Sequence, residues 1–269
     1  MRLFAPRRRS PLSLLVFLSV ALSGAVMRAQ GDAAAAPAAT AAAMPDAASV
    51  LKRFRTAIGG ETAIRKHTAR TVTGRFELPA QGMKGDLKIV AAAPDRMRLT
   101  ITLPGIGSLE RGYDGNIGYS LDPAVGPRIL NGPELEELKY SSDFYDDLRD
   151  PSKYASAVVV SKGDFEGEDC YEVKLVRKSG FTYHEFFSVK TGLLTGVKMN
   201  VTSQMGTVPV TTVHSEYKVF GGVMTPTITR QKMMGLESIT TIDSMTFDAL
   251  DANAFTLPEA IAALAAQAK

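Results

Sequence analysis

Two histidine–glutamate pairs are the best prospects for metal chemistry in this chain. His184 and Glu185 are adjacent, and His214 stands two residues before Glu216. Imidazole and carboxylate both ligate zinc, but a zinc site needs three or four such groups, and the chain has neither an HExxH stretch nor a cysteine pair. Along an extended strand His214 and Glu216 would share one face, which solvent can occupy as readily as a metal. Asp143, Asp146, Asp147 and Asp150 crowd a single stretch. They lack EF-hand spacing and read as a solvated acidic face. Gly105, Gly107 and Ser108 belong to a turn between strands and not to a phosphate loop, and no GxSxG supplies a serine nucleophile. Cys170 is the single cysteine. It precedes a strand, no nearby group lowers its thiol pKa, and it reads as a small buried or edge residue. Arg96 and Arg98 flank Met97 on polar positions, where a lipid headgroup or partner could meet them and where solvent is the plainer occupant. The residues thus predict no catalytic group, no metal and no cofactor: a protein that is not an enzyme.

Composition narrows the class further. Arg2 and Arg7-Arg8-Arg9 precede an apolar run from Leu12 to Val26, the form of a secretory signal and too short for a confident membrane span. Ser23-Gly24-Ala25 offers a cleavage site, with Ala21-Leu22-Ser23 as a second. Arg8-Arg9 could begin a twin-arginine signal, but the residues after it do not support that. No cysteine stands near either cleavage site, so no lipid attachment is expected there. Cutting after Ala25 removes four arginines and no acid, leaving 27 basic against 28 acidic side chains. The mature chain then has no basic excess to suggest nucleic acid or an anionic membrane surface. One cysteine allows no internal disulfide, so the core must carry stability alone. Residues 1–25 are expected to be a signal peptide and 26–45 an alanine-rich linker. A single domain over 46–258 and a C-terminal tail over 259–269, a short frayed helix, should follow.

The elements that must position any site follow from periodicity. Asp46 can N-cap a helix whose apolar positions Val50, Leu51, Phe54 and Ile58 recur at helical spacing. Gly59-Gly60 stops it, and a short turn over Glu61 to Lys66 follows. From Thr71 the period changes to two. Val72 and Phe76, then Leu87 and Ile89, then Met97, Leu99 and Ile101 alternate with polar residues, as antiparallel strands with one wet face do. Short turns leave no room for parallel crossovers. One helix interrupts: Asn131 and Glu134 form a capping-box pattern, and Leu135, Leu138, Tyr145 and Leu148 share a face up to Asp150-Pro151. Strands then resume to Phe247, with turns at Lys190-Thr191-Gly192 and Gly221-Gly222. The count is ten or eleven strands and two substantial helices.

Several motifs in this order resemble a bacterial exported family, the outer-membrane lipoprotein-sorting proteins related to the carrier LolA. They are Ala57-Ile58-Gly59-Gly60 through Ile64, Gly112-Tyr113-Asp114-Gly115-Asn116-Ile117-Gly118-Tyr119, Gly126 to Gly132 into a helix, Lys190-Thr191-Gly192-Leu193, Tyr217 to Pro226, and Phe255-x-Leu257-Pro258. Where the family's hairpin often carries a tryptophan, this chain has Tyr119. The resemblance implies a mainly β (α+β) fold: a strongly curved antiparallel sheet, an unclosed barrel with helices across its mouth. It also implies a periplasmic carrier of lipoprotein acyl chains or another lipid, with an inner- or outer-membrane protein as a further candidate partner. A monomer is expected. The alternative is an envelope sensor of the RseB type, acting through protein contact. In such a fold an apolar cavity would be lined by Phe54, Phe76, Leu87, Ile89, Met97, Leu99, Ile101, Met199, Val201, Met245 and Phe247, with Leu135, Leu138 and Tyr145 as its lid. Eight methionines (Met83, Met97, Met199, Met205, Met224, Met233, Met234, Met245) would adapt the sheet to varied apolar shapes or simply fill gaps in its core.

Overall fold

The computed structural model describes residues 44–203 and 206–267. The expected signal peptide, the expected linker up to residue 43 and Met205 lie outside them.

Helix α1 (Ala47–Ala57) starts where the Asp46 side chain accepts a hydrogen bond from the Ser49 amide. Its apolar stripe, Val50, Leu51 and Phe54, is buried. Gly59, in the left-handed region at φ 119°, turns the chain into α2 (Gly60–Arg65). A Cβ there would sit 2.4 Å from the Gly222 carbonyl oxygen, so glycine is needed both for the turn and for the close approach.

Thirteen strands are present among the described residues. The first six are β1 (Ala69–Leu78), β2 (Met83–Ala92), β3 (Arg96–Leu103), β4 (Gly107–Tyr113), β5 (Gly118–Asp122) and β6 (Gly126–Ile129). Helix α3 (Gly132–Ser142) follows. The rest are β7 (Tyr154–Phe165), β8 (Glu168–Arg177), β9 (Thr182–Ser188), β10 (Leu194–Ser203), β11 (Gly206–Phe220), β12 (Val223–Met233) and β13 (Leu236–Thr246), before α4 (Glu259–Gln267). All lie in one antiparallel sheet ordered β6-β5-β4-β3-β2-β1-β13-β12-β11-β10-β9-β8-β7. Each half of the chain is a meander, and the halves join where β1 pairs with β13. The sheet is not closed: β6 and β7 are its two edges. Bulges in the β1–β13, β9–β10 and β7–β8 pairs add the local twist that a curved sheet requires. No helix among the described residues is long and apolar enough to cross a membrane.

The main core lies where α1 and the α3–β7 connection meet β8, β9 and β10. Val173, Leu175 and Tyr183 are fully buried there, with Phe54 tilted against Phe187 at 5.3 Å between ring centroids. Leu138 belongs to a second cluster with Tyr113 and Leu130.

The structure corrects several sequence readings. Helix α3 ends at Ser142, so Tyr145 and Leu148 lie beyond it, in and beside a single 3-10 turn over Asp146–Leu148. The capping box does not form, because Glu134 is drawn to Arg128 at 3.1 Å and Asn131 makes no side-chain cap. The acidic stretch is no solvated face: Asp143 and Asp146 are engaged by Lys153, Arg177 and Arg149. Arg96 and Arg98 hold the C-terminal segment on the face opposite Met97, Arg96 over the Phe255 ring and Arg98 donating to the Thr256 carbonyl, Tyr119 and Glu110. The C-terminal stretch is docked: Ile261 of α4 is fully buried.

Candidate ligand-binding cavity

The register builds an apolar wall one residue at a time. Val72 of β1 stands opposite Met245 of β13 on one side and Ile89 of β2 on the other, and Ile89 stands opposite Leu99 of β3. Pleating sends all four to the same face. Met97 lies on the same face in the next row, opposite Ala91, and Phe54 of α1 with Ile58 just after it, Leu194 and Val197 of β10, and Met224 of β12 complete the lining. They enclose a cavity of about 510 Å³. That lies within the range of small-molecule sites, which run to roughly 300–1,000 Å³ and are mostly apolar with a few placed polar groups.

The polar groups come from one segment and three strands, β1, β11 and β12. Tyr140 and Ser141 at the end of α3, and Asp143, Asp146, Asp147 and Arg149 after it, form one side of the cavity. Arg149 adopts a left-handed φ of 48°, which turns its guanidinium inward at the end of the 3-10 turn. It donates through Nε and Nη2 to the two oxygens of Glu185, at 2.9 and 2.7 Å, and through Nη1 to Asp146 Oδ2 at 2.7 Å. It also lies over the Phe54 ring at 5.1 Å. Glu185 is 0% exposed and the Arg149 side chain 3%. Burial works against both charges. For Arg149, Asp146 and Glu185 outweigh that pull and hold the guanidinium protonated, while burial raises the Glu185 and Asp146 carboxyls above their ordinary values. Such a pair contributes little net stability, yet losing one partner costs about 3–5 kcal/mol, so it fixes where the α3–β7 connection sits. Arg177 extends the network to Asp143 at 3.5 Å and to Asp146.

His214 of β11 also faces the cavity. Its Nδ1 is 3.2 Å from Thr229 Oγ1, and burial pulls its pKa down to about 4. Glu216 takes a left-handed φ of 53° within an unshifted register, and its side chain is exposed while His214 and Tyr217 line the cavity. His184 instead bonds Glu172 at 2.7 Å, while its neighbour Glu185 points the other way to Arg149. Cys170 is buried 3.4 Å from Thr195 Oγ1.

Of the residues expected at a cavity, Phe54, Ile89, Met97, Leu99 and Met245 line this one. Leu87 and Ile101 share the strand face but stand two residues further along, and Phe76 lies four beyond Val72 opposite Gly85. Met199 packs against the main core, and Val201 continues its strand face. Phe247 is stacked on His67 at 3.7 Å. Leu135 and Leu138 do not face the cavity; they cover Gly118 on β5, where a Cβ would meet them at 2.5 and 3.1 Å. Tyr145 donates to the His67 carbonyl and packs edge-on against Phe144. The sequence reading missed Arg70, Tyr140, Arg149 and His214 as cavity residues. Strand parity from Val72 would have placed Arg70 inward; Arg149 had no sufficient local signal, because Glu185, which takes both Nε and Nη2, lies on a distant strand.

No protein-family model and no curated protein sequence matches this chain. Solved structures do. A LolA superfamily protein from Nitrosomonas europaea superposes with a TM-score of 0.53 at 14% identity, over 80% of this chain and 99% of that one. A DUF1329 family protein from Desulfovibrio piger gives 0.55 at 12% identity, over 80% and 98%. At such identities the likeness establishes the fold: this chain has the unclosed-barrel architecture of LolA superfamily proteins.

Proposed function

We propose that this protein is an exported, non-enzymatic carrier that holds an acyl-lipid ligand, free or attached to a lipoprotein, in the cavity between sheet and helices. The observation that carries the reading is the Met245–Val72–Ile89–Leu99 row facing α1 across about 510 Å³. Each methylene moved from water to such a wall contributes about 0.8 kcal/mol, so a chain of ten or so carbons is held without any covalent step. Release then needs only an acceptor that offers the chain a comparable environment. The basic and apolar N-terminal run supports export to the periplasm, and the shared fold supports the reading by analogy.

Protein purified gently from its own cell envelope is expected to carry one lipid per chain in native mass spectrometry. After delipidation it should take up a fluorescent acyl probe. Leu99→Asp puts a charge on the cavity wall and should abolish uptake, whereas Thr100→Asp, on the opposite face, should leave it within about twofold. A folded, delipidated protein that takes up no acyl probe, and that instead forms a stoichiometric complex with a membrane protein, would replace the carrier with the sensor.

A further inference from the structure

Every charged group on the cavity wall but one is spoken for. Asp143 and Asp146 are held by Lys153, Arg177 and Arg149. Arg149 is held by Glu185 and Asp146. Asp147 leans on Arg149 at 3.8 Å with 45% of its side chain in solvent. The exception is Arg70 of β1. Among the described residues its side chain makes no hydrogen bond and no ion pair; the guanidinium carbon lies over the Phe144 ring, 5.1 Å from its centroid. Burial lowers its pKa, with the more distant Asp147 and Asp146 opposing that pull.

An arginine in this state is an unmet demand. Its planar fork presents five donors suited to a carboxylate or phosphate, and a partly desolvated cation gains more from an anion than an exposed one does. It stands two residues from Val72 on the same strand face, opposite Ala91, so it flanks the apolar row beside Val72. A ligand that satisfied both would have a charged head at Arg70 and a hydrocarbon tail along Val72, Ile89 and Leu99. At roughly 30 Å³ for a group the size of a water molecule, the cavity has room for on the order of fifteen such groups.

Building on the carrier reading, we infer that the cavity selects a single-chain anionic amphiphile, with its carboxylate or phosphate head on Arg70 and its tail along the Val72–Ile89–Leu99 row.

The test titrates delipidated protein at pH 8 with dodecanoate, dodecyl phosphate and dodecan-1-ol, by displacement of an uncharged fluorescent acyl probe. The two anions are expected to bind at least tenfold tighter than the alcohol. Arg70→Gln should erase that difference by weakening the anions and leaving the alcohol unchanged; Arg70→Lys should keep part of it, because the charge remains and the fork is lost. Acetate and inorganic phosphate should fail to compete at the same concentrations. Equal binding of acid and alcohol by the unaltered protein, or a preference that survives Arg70→Gln, overturns the inference and leaves the carrier standing. Competition by acetate or phosphate as strong as by dodecanoate also overturns it, since the site would then take free anions. Failure of the alcohol and both anions alike would instead remove the carrier reading.

Discussion

His214 shows how a residue picked for one chemistry can serve another purpose. Its type and its spacing from Glu216 suggested a metal pair, but Glu216 takes a left-handed φ of 53° and its side chain is exposed, off the cavity wall. What remains is a neutral imidazole on the cavity wall with a pKa near 4. In the unfolded chain the same group titrates near 6.5. Between these values the unfolded state binds the extra proton, so stability is fully present above about pH 6.5 and is lost as pH falls toward 4. Lowering the pH from 7 to 5 should cost up to about 2 kcal/mol through this residue alone. Urea midpoints of the unaltered protein and of His214→Gln, whose amide can still meet Thr229, should diverge over that range, and parallel curves would show that the imidazole is not buried neutral. Residue-scale reading of the sequence found the right types more often than the right roles. A strand alternation places a side chain inward or outward, but an ion pair such as Arg149 with Glu185 joins positions 36 apart and leaves no local trace.

At the level of elements the sequence was more legible. The α1 cap at Asp46, the period-two strands and the glycine turns are local devices, and they stand where local chemistry puts them. The failure was α3. Its apolar periodicity runs on to Leu148, yet the helix stops at Ser142 because Asp143 and Asp146 are drawn into the Arg177, Lys153 and Arg149 network. Tertiary ion pairing overrode a helical pattern. The helix also sets its leucines on β5 and not on the cavity wall. Leu138 is 1% exposed and rests with Leu135 on the bare backbone of Gly118. Gly118→Val would drive a side chain into both leucines, and should cost about 1–3 kcal/mol while lifting the helix that brings Tyr140 to the cavity. The urea midpoint and acyl-probe affinity should therefore fall together. A loss of stability with unchanged affinity would show that α3 covers the sheet without shaping the cavity. On this side the cavity wall is formed by Tyr140 and Ser141 at the helix end and by the segment after it, Asp143 to Arg149, which Arg149 ties to Glu185.

Across the whole molecule, the order of strands in the sheet is also an order in time. Each half is a meander whose strands meet their neighbours after short turns, but the joint between the halves sets Thr71 against Thr246, 175 positions later. Loop-closure entropy makes that pairing the slow one. Pulse-labelling hydrogen exchange during refolding should find β8 and β9 protected early and β1 with β13 protected last. Earlier or simultaneous protection of β1 would show that the halves do not form independently. For a chain made from its N-terminus at about 5–20 residues per second, β1 waits roughly 10–35 s for its partner to exist. Through that interval the strand bearing Arg70 and Val72 is a bare edge, half of a binding site open to proteases and to any other unpaired strand nearby. The last strand of the sheet therefore protects the first as well as completing the cavity wall, and a chain that stalls before Leu236 leaves its β1 exposed.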